Sequence, residues 1–339
     1  MQQDHQKTIF EIIKQRTAGQ GSLGDIVGEI LSISNDAVYR RFRGDTHLTI
    51  YELEKLCKHF GISMDSLFAM EANKVLFDFQ PLKHFDFSMD PYLRGIQQAF
   101  KMVKSQQNPR LMITVNNTHL LQLLNFPHLV RFKLFFWAKT HIQIKEFQDI
   151  KFAYEKFNEE SFIIGRDILQ MYNSIPTKEI YDPELIRGFA REIQYYFRAH
   201  LFEDPSFAIY LLDQLLLFTD HLKAQAEIGK KFIFDTTPPA DGNEFEVYHN
   251  ETLNGFGTIY YKTDQAEGLY MAHNILNTLH TTDEYYVQDS LQVMERQFAN
   301  ASLISQTNEK LRNAYFHQMT RSVQMIKQKL ELELEEEAM

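Results

Sequence analysis

The sequence predicts a mainly α protein in three parts: a five-helix N-terminal domain, a larger helical domain, and a small antiparallel β-meander followed by C-terminal helices. Three observations predict it. Apolar residues recur at three- and four-residue spacing over most of the chain. Turn formers are scarce, with 14 Gly and 9 Pro in 339 residues, which disfavours an all-β fold. Alternation of β-favouring residues is confined to about residues 231–274. The expected boundaries are 1–74, 75–230 and 231–339, and the last two segments also fit a single domain.

Within the first segment, Ile9, Phe10, Ile12 and Ile13 make an apolar stripe on a first helix, which Gly19 and Gly21 end. Leu23, Ile26, Val27, Ile30 and Leu31 form a short second helix. Ser32-Ile33-Ser34 is a tight connection, and the Ser34 hydroxyl suits the cap of a third helix over 35–43. Gly44 stops that helix by tolerating a left-handed C-cap. Leu48, Ile50, Leu53, Leu56, Cys57 and Phe60 give a fourth helix ending at Gly61, and Ile62, Met64, Leu67 and Phe68 start a fifth.

Residues 75–90 are aromatic but aperiodic and read as an ordered linker, and 91–230 read as mostly helix. Asp182-Pro183-Glu184 and Asp204-Pro205-Ser206 each place a carboxylate before Pro at a helix start. Asn254-Gly255 signals a hairpin and Asp264 to Gly268 a second turn, giving three antiparallel strands, with 232–235 as a candidate fourth. Thr281-Thr282-Asp283-Glu284 looks like a capping box opening a helix to about 300, and a last helix covers about 306–335.

Composition narrows the function classes. One cysteine excludes a disulfide framework and a Cys-rich zinc module. No run approaches the ~18 apolar residues of a membrane span, and the N-terminus lacks the pattern of a signal peptide, so the expected location is cytoplasmic, with no membrane partner. The net charge of −10 speaks against general attraction to nucleic acid. The charge is unevenly spread, however. Residues 1–74 hold nine Lys or Arg against ten Asp or Glu, a net −1, which leaves −9 for the other 265 residues.

The stretch LGDIVGEILSISNDAVYRRFRGD carries the strongest signal. It has a small residue in the second helix (Gly28), a turn residue (Ser32), buried aliphatics (Ile33, Val38), a helix cap (Ser34) and a closing Arg43-Gly44. The apolar fourth helix and the Gly61-Ile62-Ser63…Leu67 ending follow at matching positions. This pattern is similar to the Cro/C1-type, lambda repressor-like helix-turn-helix of phage repressors and many bacterial regulators. Longer strings (LTIYELEKLCKHFGISMDSL, KLFFWAKT, YNSIPTKEIYDPELIRGFAREIQYYFRAHLF, YHNETL and ASLIS) resemble helix-turn-helix regulators common in the Bacteroidetes. The resemblance covers most of the chain. It implies a transcriptional regulator with a large C-terminal region of unassigned role, and it implies no ligand and no catalytic residues.

Residue chemistry points the same way. A helix entering the major groove needs polar side chains at its first exposed positions. Asn35, Asp36, Tyr39 and Arg40 lie opposite Val38 and are the expected base-reading set; Ser22, Arg41, Arg43 and Thr49 are the expected phosphate contacts. The pattern departs from its class at Phe42, where a carboxylate is usual, so either Arg41 or Phe42 turns inward.

Residues 75–339 contain no H-E-x-x-H, G-x-S-x-G, Cys-x-x-Cys or phosphate-cradling glycine loop, so no enzyme, cofactor or metal site is expected. His273 and His280 are seven apart but scattered like the other histidines, and Cys57 and Trp137 read as core. The aromatic surplus serves either a core or an effector pocket. The stripe Leu303, Ile304, Leu311, Tyr315, Met319, Val323, Ile326 and Leu330 either docks on its own domain or forms a dimer seam. The function expected is a sequence-specific regulator binding double-stranded DNA as a homodimer, with an unidentified effector in the C-terminal region. The alternative is a protein-interaction or small-ligand sensor module with a degenerate helix-turn-helix.

Overall fold

In the computed structural model of the chain the described residues are 5–17, 21–62, 64, 75–79, 89–115, 119–153, 160–182, 184–251, 257–274 and 277–338. The chain divides into two compact units, Met1–Leu76 and Phe77–Met339.

The first unit contains α1 (His5–Arg16), α2 (Leu23–Leu31), α3 (Asn35–Arg43) and α4 (Ile50–Phe60). That is four helices among the described residues rather than five. The expected fifth, at Ile62, Met64, Leu67 and Phe68, falls mostly outside them. Local chemistry fixes the limits of α2, α3 and α4. Ser22, Ser34 and Thr49 cap these helices by accepting the backbone N–H of Asp25, Ala37 and Glu52. Ser32, Gly44 and Gly61 end them in the left-handed region. Ile9, Phe10, Ile13, Val27, Val38, Leu56 and Cys57 make the core.

The second unit corrects the expected fold class. Among the described residues it is built on an eight-stranded mixed sheet rather than on helices with a small meander. The strands are β1 (Asp78–Phe79), β2 (Arg110–Val115), β3 (Thr177–Tyr181), β4 (Phe245–His249), β5 (Thr258–Lys262), β6 (Glu267–His273), β7 (Asn277–Thr281) and β8 (Ser302–Leu303). Their order is β1-β7-β6-β5-β2-β3-β4-β8. The pairs β2–β3 and β3–β4 are parallel, and the rest are antiparallel.

Two sequence readings fail here for physical reasons. The strands β2 and β3 are short runs in a central position, whose period does not separate them from buried helix. The Asn254-Gly255 signal lies outside the described residues, and its flanking strands are not partners: β4 pairs with β3 and β8, while β5 pairs with β2 and β6. The antiparallel meander is β5-β6-β7, and residues 232–235 form a loop and turn instead of a strand.

The helices are α5 (Met89–Lys104), α6 (Leu120–Leu123), α7 (Pro127–Phe136), α8 (Lys145–Gln148), α9 (Glu160–Asn173), α10 (Leu185–Arg198), α11 (Ser206–Ile228), α12 (Glu284–Ala299) and α13 (Glu309–Ala338). A π-helical turn at Trp137–His141 extends α7. Side-chain alternation along β2 divides the packing. Leu111, Ile113 and Val115 enter the main core with α5, α7, α9, α10, α11 and α13, whereas Met112 joins a small core under α12. Ile304, Tyr315, Met319, Val323 and Leu330 are buried in that main core, so this part of the C-terminal stripe is covered by its own unit, while Leu311 is exposed. No helix among the described residues is long and apolar enough to cross a membrane.

Candidate nucleic-acid interface

The residues singled out in the first unit meet around α3. Its inner face is set by Val38, fully buried, and by Phe42, whose ring meets Phe10 edge-on at 5.8 Å. Phe42 is therefore the inward residue. Arg41 turns along the surface to α4, where Glu52 receives its Nε at 3.3 Å and its Nη2 at 2.8 Å.

The turn before α3 brings that helix close against α2. Ser32 sits at φ 57°, ψ 46°, and Ile33 N–H donates to Gly28 O at 3.0 Å. A Cβ on Gly28 would lie 2.9 Å from Ile33 O, and one on Gly24 would lie 3.0 Å from the Tyr39 ring. Both glycines let α3 lie close against α2, and close approach is what glycine is used for.

Asn35, Asp36, Tyr39 and Arg40 are all exposed on the outer face of α3. Asn35 Nδ2 donates to Asp25 Oδ1 at 2.6 Å, and Ser22 Oγ donates to Asp25 Oδ2 at 2.6 Å. The bond from Ser22, and then that from Asn35, hold the Asp25 carboxyl below its ordinary pKa. Asn35 keeps a second amide hydrogen and its carbonyl oxygen for other partners. Ser22 and Thr49 are exposed at the starts of α2 and α4.

Each arginine of α3 has a carboxylate partner. Arg40 pairs with Asp36 at 2.8 Å, with side chains 58% and 67% exposed, and Arg43 pairs with Asp45 at 2.9 Å, 56% and 54% exposed. Arg41 and Glu52 are 15% and 14% exposed. Exposed pairs are worth about 0–1 kcal/mol, so Arg40 and Arg43 exchange partners at little cost. Arg41 does not, since it is largely enclosed and also donates to Ala37 O at 3.1 Å. The positive charge legible in the helix is thus neutralised in part by Asp45 and Glu52, which lie outside it in sequence.

Two further residues shape this face without having been expected. Gln6 fastens the segment after α3: its Nε2 donates to Arg41 O at 2.7 Å and to Thr46 O at 2.8 Å, and its Oε1 accepts from Leu48 N at 2.8 Å. No local pattern announces it, because these bonds span 35 to 42 residues. Glu52 was visible in Thr49-x-x-Glu52, the spacing of a capping box.

Among the described residues no group of three or more His, Cys, Asp or Glu is placed to hold a metal ion. His273 and His280 fall on neighbouring strands; His280 stacks on Tyr270 at 4.3 Å and pairs with Asp78 at 3.2 Å. A polar cluster of the second unit centres on Glu179, which is fully buried. It accepts from Tyr181 at 2.9 Å and from Tyr172, and faces His119 Nε2 at 2.8 Å. Lys231 lies beside this cluster, donating to Tyr172 O at 2.7 Å and Ile175 O at 2.9 Å. All five side chains are buried, and through Tyr172 the network ties β3 to α9. Compared with protein-family models, with curated proteins and with solved structures, the chain matches none.

Proposed function

We propose that the first unit reads the major groove of double-stranded DNA with α3, and that the chain is a sequence-specific transcriptional regulator acting as a cytoplasmic homodimer. One observation carries the reading: Asn35, Asp36, Tyr39 and Arg40 stand exposed on one face of a helix whose other face is locked by Val38 and by the close approach at Gly28. Asn suits adenine, Arg guanine, and Asp the cytosine amino group, so the row holds the chemistry needed to read base edges. The resemblance to the Cro/C1-type pattern supports the same assignment. Arg43, Ser22 and Thr49 are the phosphate contacts of this reading, whereas Arg41 braces α3 against α4. A single such helix makes few contacts, and pairing would place two of them on half-sites about 34 Å apart.

The test is selection of bound DNA from a random pool with the intact chain, followed by titration of the selected sequence. The expected result is a palindromic site, with affinity and preference both lost in the Asn35→Ala, Arg40→Ala double variant. Unchanged affinity and preference in that variant would remove α3 from the role. Pairing of all three arginines with carboxylates favours the second reading, an interaction or ligand-sensing module. That reading predicts weak binding with no selected sequence.

A further inference from the structure

The C-terminal helix α13 has two faces. On the inner one Tyr315, Phe316, Met319, Val323 and Leu330 are buried. Glu333 accepts from Arg198 of α10 at 2.6 Å, and Lys327 donates to Asp213 of α11 at 2.5 Å, so the helix is tied to both neighbours. On the outer face Leu311, Gln318, Met325 and Leu332 recur every seven residues, and Ala314, Arg321, Gln328 and Glu335 form a second row beside them. All eight are exposed, Leu311, Met325 and Leu332 by 43%, 56% and 61%. These spacings are the a and d positions of a heptad, which keep one helix facing another along a seam. From 311 to 335 the seam runs about 36 Å at the helical rise.

Charge selects the occupant and its direction. Along the seam and its flanks, exposed Lys310 and Arg321 come first, and exposed Glu335 and Glu336 come last. Glu309 lies on the other side of the helix, in line with buried Phe316 and Val323 seven and fourteen residues on. A second copy laid parallel would set Arg321 on Arg321 and Glu335 on Glu335. Laid antiparallel about residue 323, it sets Leu332 on Ala314, Met325 along the stem of Arg321, and Gln318 on Gln328. The same register brings Lys310 of each copy to Glu336 of the other. Paired amides can donate and accept at once, which favours this register over a slipped one.

We propose that the outer face of α13 is the seam of an antiparallel homodimer, formed with the same face of a second copy of this chain. The inference rests on the homodimer of the proposed function and adds its interface and direction. A face that complements itself through a two-fold axis closes at two copies. A strip about 36 Å long and about 10 Å wide covers about 700 Å² over both copies, below the about 1,200 Å² of stable complexes. The dimer is therefore weak, and its dissociation falls in the micromolar range.

Sedimentation of the intact chain over a concentration series tests this without DNA. The expected result is a monomer–dimer equilibrium that weakens at least tenfold in the Met325→Glu, Leu332→Glu double variant. Direction is read by charge reversal. Lys310→Glu, and separately Glu335→Lys with Glu336→Lys, should each weaken the dimer by about threefold at low salt, and the triple variant should recover the parent's affinity. A parallel seam is indifferent to these reversals, because each charge there faces its own copy. A parent chain that stays monomeric at high micromolar concentration overturns both the seam and the homodimer, leaving the face to a different partner. A dimer that survives the double variant overturns the seam alone, and one unmoved by all three reversals overturns its antiparallel direction. None of these results bears on base reading by α3, which the DNA selection decides.

Discussion

Glu52 accepts at once from the guanidinium of Arg41, at 2.8 and 3.3 Å, and from the backbone N–H of Thr49 at 2.9 Å, so a single carboxylate both caps α4 and ties it to α3. Burial pushes this carboxyl upward in pKa, but the Thr49 N–H and Arg41 outweigh it, and the net shift is below the ordinary 4.5. A lowered folded value means that the stabilisation is complete above about pH 4.5 and is lost as pH falls through the folded value. Glu52→Gln removes the charge while keeping an oxygen for the cap. It should cost about 1–2 kcal/mol locally, read as roughly tenfold faster amide exchange in α3 and α4 at neutral pH. Exchange at the parent rate would mean that the bracket contributes nothing.

Gly28 and Gly188 give substitutions of opposite sign. Both lie in helices, where Gly→Ala gains up to about 1 kcal/mol from backbone propensity alone. At Gly188 a Cβ meets nothing within 4 Å, so Gly188→Ala should stabilise by roughly that amount. At Gly28 the Cβ would meet a backbone oxygen at 2.9 Å, and a carbonyl in a tight turn cannot swing aside as a side-chain tip can. Overpacking of this kind costs about 1–3 kcal/mol, more than propensity returns. Gly28→Ala should therefore lower the urea midpoint of the first unit, and a raised midpoint would show that the turn yields.

These contrasts also show what the sequence makes legible. The limits of α2, α3 and α4 are written in the residues themselves, because Ser22, Ser34, Thr49, Ser32, Gly44 and Gly61 act within one helical turn. The sheet is not, because its central pairs join distant segments: Leu111 registers with Thr177, and Thr177 with Phe245. The run Thr177-Lys178-Glu179-Ile180-Tyr181 carries two charged residues, yet it is a central strand because Glu179 is enclosed by Tyr172, Tyr181 and His119. At the candidate interface the exposed row of α3 follows from helical period alone. The neutralising partners do not, since Asp45 lies past the helix end and Glu52 in another helix.

Lys231 makes the second unit sensitive to alkaline pH. Burial pushes its pKa down to about 7, against the partial support of Glu179. Between about pH 7 and the ordinary value of 10.5 the unfolded chain holds a proton that the folded chain has released. Stability therefore rises with pH through this window, by at most about 1.4 kcal/mol per pH unit. Tyr172 and Tyr181 are raised well above 10 and do not titrate within it. Urea midpoints from pH 7 to 9.5 should climb in the parent and climb less in Lys231→Met, where the lowered Lys133 still contributes. Parallel curves would show that Lys231 keeps its proton when buried.

On the proposed reading of α3, Asp45 restrains DNA binding. Its carboxylate holds Arg43 at 2.9 Å, and both side chains are more than half exposed, so the pair contributes about 0–1 kcal/mol and gives way readily. Asp45→Asn releases Arg43 and adds one positive charge beside the reading helix, at a position outside the row Asn35, Asp36, Tyr39 and Arg40. An Arg43 freed to meet phosphate raises affinity for all sequences alike, by up to about fivefold. It also steepens the dependence of log affinity on log salt by about 0.9. Asp36→Asn differs, because Asp36 belongs to the row itself and its loss should change which sequence is selected. Titration at several salt concentrations, on the selected site and on an unrelated duplex, separates the two effects. If Asp45→Asn leaves the salt slope unchanged on both duplexes, Arg43 meets no phosphate, and the electrostatic part of the interface must lie elsewhere in the first unit.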